Sequence, residues 1–200
     1  MHRTVFMTAL CAVAAFVAGC SSTPPSHFYT LSHTMAPAAT PAVPSSQLSV
    51  VVGPVSIPAL VDQPQIVVST GPNHVSIDEF NRWASPLASN ISRVVTENLV
   101  AMLGTPRVSQ FQQSLNADAD YRVAIEVQTF ESAPGEAATL NAVWIVRRTK
   151  DGKTETGRTA LREPAPEQGY EALVAAHSRA LARMSQDIAN AVRALDRTPQ

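Results

Sequence analysis

The sequence predicts an α+β domain, a mixed, largely antiparallel sheet with two long amphipathic helices packed on one face. Three observations carry that prediction. Residues 121–130 alternate, with Tyr121, Val123, Ile125 and Val127 on one side and Arg122, Glu126 and Gln128 on the other. Two later strand-like runs are joined by Asp151-Gly152, a two-residue type I′ hairpin signal. Two further segments repeat apolar residues every three or four positions, the period of a helix with one buried face.

In chain order, LSVVVGPV at 48–55 is a β-branched run closed by Gly-Pro, a strand buried on both faces. Ile57-Pro58 to Pro64 is a proline-punctuated connection. QIVVS at 65–69 and His74 to Ile77 flank the turn Thr70-Gly71-Pro72-Asn73 and form a hairpin. The first helix has Ser85 as N-cap, Pro86 at its first position, Gly104 just past its end and Pro106 beyond. Leu87, Ile91, Val94, Val95, Leu99 and Met102 mark its apolar side; Ser89, Asn90, Arg93 and Glu97 take the other. Arg107 to Phe111 is a short strand, and Leu140 to Arg148 and Glu155 to Leu161 are the arms of the Asp151-Gly152 hairpin. The last helix covers 167–195, with Tyr170, Leu173, Val174, His177, Leu181, Met184, Ile188 and Val192 on one face. Arg179, Arg183, Gln186 and Asp187 mostly point away. A sheet with one polar face and helices on the other accommodates this order.

The start of the chain has a different character. Arg3 precedes an apolar stretch from Val5 to Val17, too short to span a bilayer as a helix but suited to a secretory signal peptide. It ends Val17-Ala18-Gly19-Cys20, which resembles the bacterial lipobox. The resemblance implies removal of residues 1–19, an S-diacylglycerol on Cys20 and an acyl chain such as palmitate on the new amine. Ser21, where an aspartate would favour inner-membrane retention, resembles an outer-membrane address with the protein on the periplasmic face. At about 0.8 kcal/mol per buried methylene, such an anchor is effectively permanent. Only one of the two cysteines survives processing, so the mature chain forms no internal disulfide.

Residues 20–46 are rich in Pro, Ala, Ser and Thr and read as a flexible tether, which would extend to about 80 Å at ~3.3 Å per residue. Within it, Phe28-Tyr29-Thr30-Leu31 favour a strand and are placed to add an edge to the domain at 47–196. Phe28 and Tyr29 are expected to pack on that domain.

A net charge of −1 with interspersed signs excludes the basic stripe of a nucleic-acid binder, and no second apolar run offers another membrane span. There is no GxSxG elbow, phosphate-binding GxxxxGK[ST] loop or HExxH. His27, His33, His74 and His177 lack metal-ligand spacing, with His177 expected as a partly buried core residue. Asp118 and Asp120 read as turn or capping residues, and Asp78-Glu79 as solvated. The expectation is no enzyme, no catalytic or metal residue, and no cofactor apart from the lipid on Cys20.

Two stretches are too particular for a generic core: VVGPVSIPALVDQPQIVVS at 51–69 and FNRWASPLASNISRVVTENL at 80–99. With Phe28-Tyr29-Thr30-Leu31 after a lipobox, they resemble the ABC-type transport auxiliary lipoproteins, the PqiC-like family. The matching pieces are Gly53-Pro54-Val55, Ile57-Pro58, Asp62-Gln63-Pro64-Gln65-Ile66-Val67, Arg82-Trp83-Ala84-Ser85-Pro86-Leu87 and Glu97-Asn98-Leu99. Gln63 departs from the family's usual arginine, and Ser69 stands where a basic residue is common.

The resemblance implies a non-catalytic docking component of an intermembrane lipid-transport system, partnered by an MCE-domain protein that spans the periplasm. It also implies a possible homo-oligomeric ring. Pro58, Gln63, Pro64, Arg82 and Trp83 are the candidate partner-binding residues, with core or loop-shaping roles as their alternative. Two other classes stay open: a carrier holding a lipid or other hydrophobic ligand between sheet and helices, and an envelope hydrolase.

Overall fold

The computed structural model describes residues 24–34, 47–111 and 119–197. Cys20, the signal segment, residues 35–46 of the tether and Asp118 lie outside the described residues. The strands are β1 (His27–Tyr29), β2 (Val50–Ser56), β3 (Gln65–Gly71), β4 (His74–Trp83), β5 (Val108–Gln110), β6 (Tyr121–Ala133), β7 (Ala137–Arg148) and β8 (Thr154–Pro164). The helices are α1 (Leu87–Leu103) and α2 (Tyr170–Arg197).

The α+β class holds. A five-stranded sheet has the order β5-β2-β6-β7-β8, with β2 parallel to both neighbours and the β6-β7-β8 meander antiparallel. Alternation decides which face is buried. Tyr121, Val123, Ile125 and Val127 turn inward from β6, opposite Ala138, Leu140, Ala142, Trp144 and Val146 of β7. The register shifts between Val127 and Thr129, so a β-bulge at Gln128 inverts the parity and turns Phe130 and Ser132 inward. Both helices lay their apolar stripes on this face, α1 over β2 and β5, and α2 over β6, β7 and β8. Among the described residues, no helix is long and apolar enough to cross a membrane.

Three local readings are corrected. The α1 N-cap is Pro86, whose ψ of 132° is not helical, and its carbonyl accepts the Asn90 N–H at 3.0 Å. With Pro86 itself outside the helix, Ser85 stands one residue too early to cap it. At the other end Gly104 takes the left-handed conformation (φ 64°) and donates its N–H to Val100, as its position predicts.

The β7–β8 connection is not a type I′ turn, which would need positive φ at Asp151; no described non-glycine residue has one. Thr149–Gly152 form a longer loop instead, because the Asp151 carboxylate is turned back onto the Arg148 guanidinium at 2.6 and 3.0 Å. Asn90, expected on the solvent side of α1, is buried.

The single sheet expected from the sequence is two sheets. β3 and β4 form the predicted hairpin, but with β1 they make a separate three-stranded sheet, order β1-β4-β3. Pro58 and Pro64, which lack donors, bracket a turn in the β2–β3 connection (Val61 N–H to Pro58 O, 3.0 Å) that carries the chain away from β2. The small sheet leans on the end of β6 through Trp83, whose ring meets Phe130 edge-on at 6.2 Å.

Residues 27–32 are an integral part of the domain. β1 runs parallel to β4, and Leu31 is fully buried. Arg93 of α1 donates to the Leu31 carbonyl at 2.5 Å and to Thr30 at 3.1 Å, while chelating Glu97 at 2.9 and 3.0 Å. Ser32 donates its N–H to Ser178 of α2. Tyr29 packs as expected, against Tyr170 and with its hydroxyl on Asn81 at 2.8 Å; Phe28 does not, being 65% exposed.

Candidate functional site

Strand register sorts the residues at the β4 end of the small sheet. Phe28 pairs with Arg82, and Arg82 with Gln65, so the three form one row on one face. Tyr29 and Trp83 form the next row on the opposite, buried face. The outer row is rigid at its centre. Arg82 donates to the Glu79 carbonyl at 2.7 Å and to its carboxylate at 2.9 Å, and Gln65 donates to the same carboxylate at 2.9 Å. The hydrogen bonds from Gln65 and then Arg82 hold the Glu79 carboxyl below its usual range, so it is an anion at neutral pH. Phe28 ends the row as an exposed aromatic on a fixed edge strand.

Of the five residues singled out in the sequence, three share one shallow depression of about 360 Å³: Gln63, Pro64 and Trp83, with Asp62, Ser85 and Pro86. Gln63 is braced by its donation to the Leu60 carbonyl at 2.9 Å, and Pro64 accepts the Trp83 N–H at 2.7 Å. The Trp83 indole is buried against Phe130, so it acts as a core anchor beneath this surface. Pro58 lies apart. It lines a second, apolar depression of about 200 Å³ with Leu60, Val61, Val67, Val75 and Phe130. Arg82 sits between, on the outer row.

Phe28, Leu60, Val75 and Ile77 are the exposed apolar residues here that sequence reasoning missed. The pattern Val75-Ser76-Ile77 is a strand alternation and marks one face, but only the fold shows that nothing described covers it.

The carrier reading needs a cavity between sheet and helices. That space is filled by Val123, Ile125, Leu140, Leu181, Met184 and Ile188, all buried.

The hydrolase reading finds a buried serine–histidine pair among the described residues, because the Gln128 bulge brings Ser132 Oγ to 2.9 Å from His177 Nε2. His177 is stacked on Phe130 at 3.7 Å, and its Nδ1 has no partner among the described residues. Burial pushes its pKa down to about 3, which makes the imidazole a poor base, and among the described residues no carboxylate orients it. Asp120 accepts the Ser49 N–H at 2.8 Å and hydroxyl at 2.7 Å, the capping role expected of it.

Residues 29–189 match the model of the ABC-type transport auxiliary lipoprotein component family. The chain belongs to that family. The match opens at Tyr29, the last residue of β1, and so takes in Thr30, Leu31 and Ser32, which hydrogen bonds tie to α1 and α2. Solved structures agree on the fold of this auxiliary lipoprotein. A DUF330-family protein from Xanthomonas campestris superposes with a TM-score of 0.68 at 20% identity, over 86% of this chain and 98% of its own. A second crystal structure, of an uncharacterized protein, gives 0.67 at 20% identity over 84% and 99%. A PelC dodecamer from Paraburkholderia phytofirmans, at 0.38 and 13% identity over 68% and 81%, is too distant to bear on this chain. No curated protein matches the chain.

Proposed function

We propose that this auxiliary lipoprotein is a non-catalytic docking component of an MCE-type intermembrane lipid-transport system. It is held by lipid on Cys20 at the periplasmic face of the outer membrane and serves phospholipid traffic and envelope integrity. Its partner would be an MCE-domain protein reaching across the periplasm, and several copies in a ring would add avidity to weak single contacts. Family membership supports the transport role, and the lipobox-like Val17-Ala18-Gly19-Cys20 supports the anchor.

The observation that carries the docking reading is the outer row of the small sheet. Phe28 stands exposed on a strand fixed by Leu31 and Arg93, level with Arg82 and Gln65, at the sheet end that also bears the Gln63–Pro64 depression. An aromatic held rigid and uncovered beside a braced polar row loses little entropy on binding a partner.

The test is in-cell photocrosslinking from positions 28, 63 and 82, followed by mass spectrometry of what is captured. Position 83 is left out because its ring is buried. Capture of an MCE-domain protein from these positions supports docking. Correctly anchored protein that crosslinks only to lipid, or to nothing, refutes it.

A further inference from the structure

Cys20 and His27 are seven residues apart, and His27 is already part of the domain. The leash between an anchor on Cys20 and the folded domain therefore spans at most about 25 Å, not the length of the whole Pro-rich segment. The fold also gives the leash a direction. β1 runs parallel to β4, with His27 level with Asn81, so the chain ahead of His27 enters from the side of β4 that leads back to His74. From Asn81 to His74 is at most ~23 Å along an extended strand. A lipidated Cys20 thus reaches the level of the β3–β4 turn and hardly further.

That end of the small sheet has a composition unlike the rest of the surface. Residues 65–77, the whole of β3, the turn and the first half of β4, contain no Asp, Glu, Lys or Arg. Val67 pairs with Ile77 and Ser69 with Val75, which places these four on one face. Val75 is 41% and Ile77 45% exposed, and Val75 continues into the apolar depression with Leu60 and Pro58. The hairpin segment itself brings no charge to desolvate, its charged neighbours being Asp78 just after Ile77 and Glu131 in the wall of the depression, and such an apolar segment suits entry into a lipid interface.

We propose that the face of the β3–β4 hairpin bearing Val75 and Ile77 rests on the lipid surface that holds the chain's own anchor. The proposal depends on the reading of Cys20 as the lipidated residue. A leash this short holds the hairpin at high effective concentration at the bilayer, so two half-exposed side chains need supply only a little affinity of their own. The Phe28–Arg82 row and the Gln63–Pro64 depression lie at the opposite end of β3 and β4, away from the turn.

The test uses the processed, full-length lipoprotein in phosphatidylethanolamine–phosphatidylglycerol vesicles. An environment-sensitive fluorophore is placed through Val75→Cys, Ile77→Cys or Ile145→Cys; Ile145 is 41% exposed on the outer face of the five-stranded sheet. Acyl chains brominated near the headgroup quench whatever enters the interface, and mass spectrometry of the same samples reads the lipid on Cys20. The expected result is lipidated protein in which labels at 75 and 77 lose most of their emission while the label at 145 keeps it. Lipidated protein with 75 and 77 no more quenched than 145 overturns the proposal and leaves the anchor intact. An apolar emission spectrum at 75 and 77 without bromine quenching also overturns it, since a protein surface such as a second copy then covers the hairpin. Protein without lipid on Cys20 removes the anchor and the proposal together.

Discussion

The buried imidazole of His177 makes the domain sensitive to mild acid in a calculable way. The side chain is 1% exposed, sandwiched against Phe130, with one hydrogen bond from or to Ser132. Desolvation lowers its pKa from 6.5 to about 3. Between those values the unfolded chain takes up a proton that the folded chain refuses. Stability contributed by the neutral imidazole is therefore complete above pH 6.5 and is lost as pH falls from there toward 3. At pH 5 the unfolded group lies about 1.5 units above ambient pH, and at about 1.4 kcal/mol per unit the loss is about 2 kcal/mol.

The carboxylates held low by their partners, Asp78, Glu79, Asp120 and Asp151, have ordinary values of 3.8 to 4.5, so the unfolded chain protonates them chiefly below pH 5. Urea unfolding at pH 7.5 and pH 5, followed by fluorescence of Trp83 and Trp144, measures the difference directly. His177→Phe with Ser132→Ala keeps the stacked ring, removes both polar atoms and should flatten the dependence over this range. An unchanged urea midpoint in the wild type, or an equal drop in the double variant, would refute the reasoning.

Two further substitutions test packing. A Cβ added at Gly157 would lie 2.1 Å from Cζ2 of Trp144, whose ring is held by its Nε1–H to Thr159 at 3.1 Å; Gly157→Ala should cost about 1–3 kcal/mol, read as a lower thermal midpoint. An unaltered midpoint would mean the ring can move aside. Leu31→Ala empties a fully buried site between the N-terminal segment and the helices and should cost about 2–5 kcal/mol. If residues 27–32 were merely tether, the same variant would unfold at the wild-type denaturant concentration.

How much of this was legible in the sequence depends on how local the cause is. The α1 end at Gly104, the alternation of Tyr121–Val127 and the apolar face of α2 follow from short-range period and punctuation, and the structure keeps them. The Gln128 bulge does not announce itself, because Thr129-Phe130-Glu131-Ser132 still alternates and only its phase has changed. The division into two sheets is a matter of strand partnership, which prolines at 58 and 64 permit but do not dictate. The candidate site was legible as a set of residues and not as a surface. Trp83 and Arg82 are adjacent in sequence and therefore face opposite ways on β4, one into the core and one outward.

The N-terminal segment has a functional consequence of its own. Composition makes residues 20–46 a tether, the strand-favouring Phe28–Leu31 run marks an edge strand within it, and the pairing of β1, the burial of Leu31 and the Arg93 hydrogen bonds divide the tether there. What lies between β1 and β2 then becomes an internal connection, and only the stretch ahead of His27 can act as a leash. If the anchor is on Cys20, as proposed, a leash of about 80 Å would let the domain range far from the membrane for its partner, whereas one of about 25 Å would keep it at the membrane surface. On the docking reading, the partner must therefore bridge nearly the whole distance itself. Lengthening the leash between Cys20 and His27 would loosen the orientation of the hairpin on the bilayer without altering the folded domain.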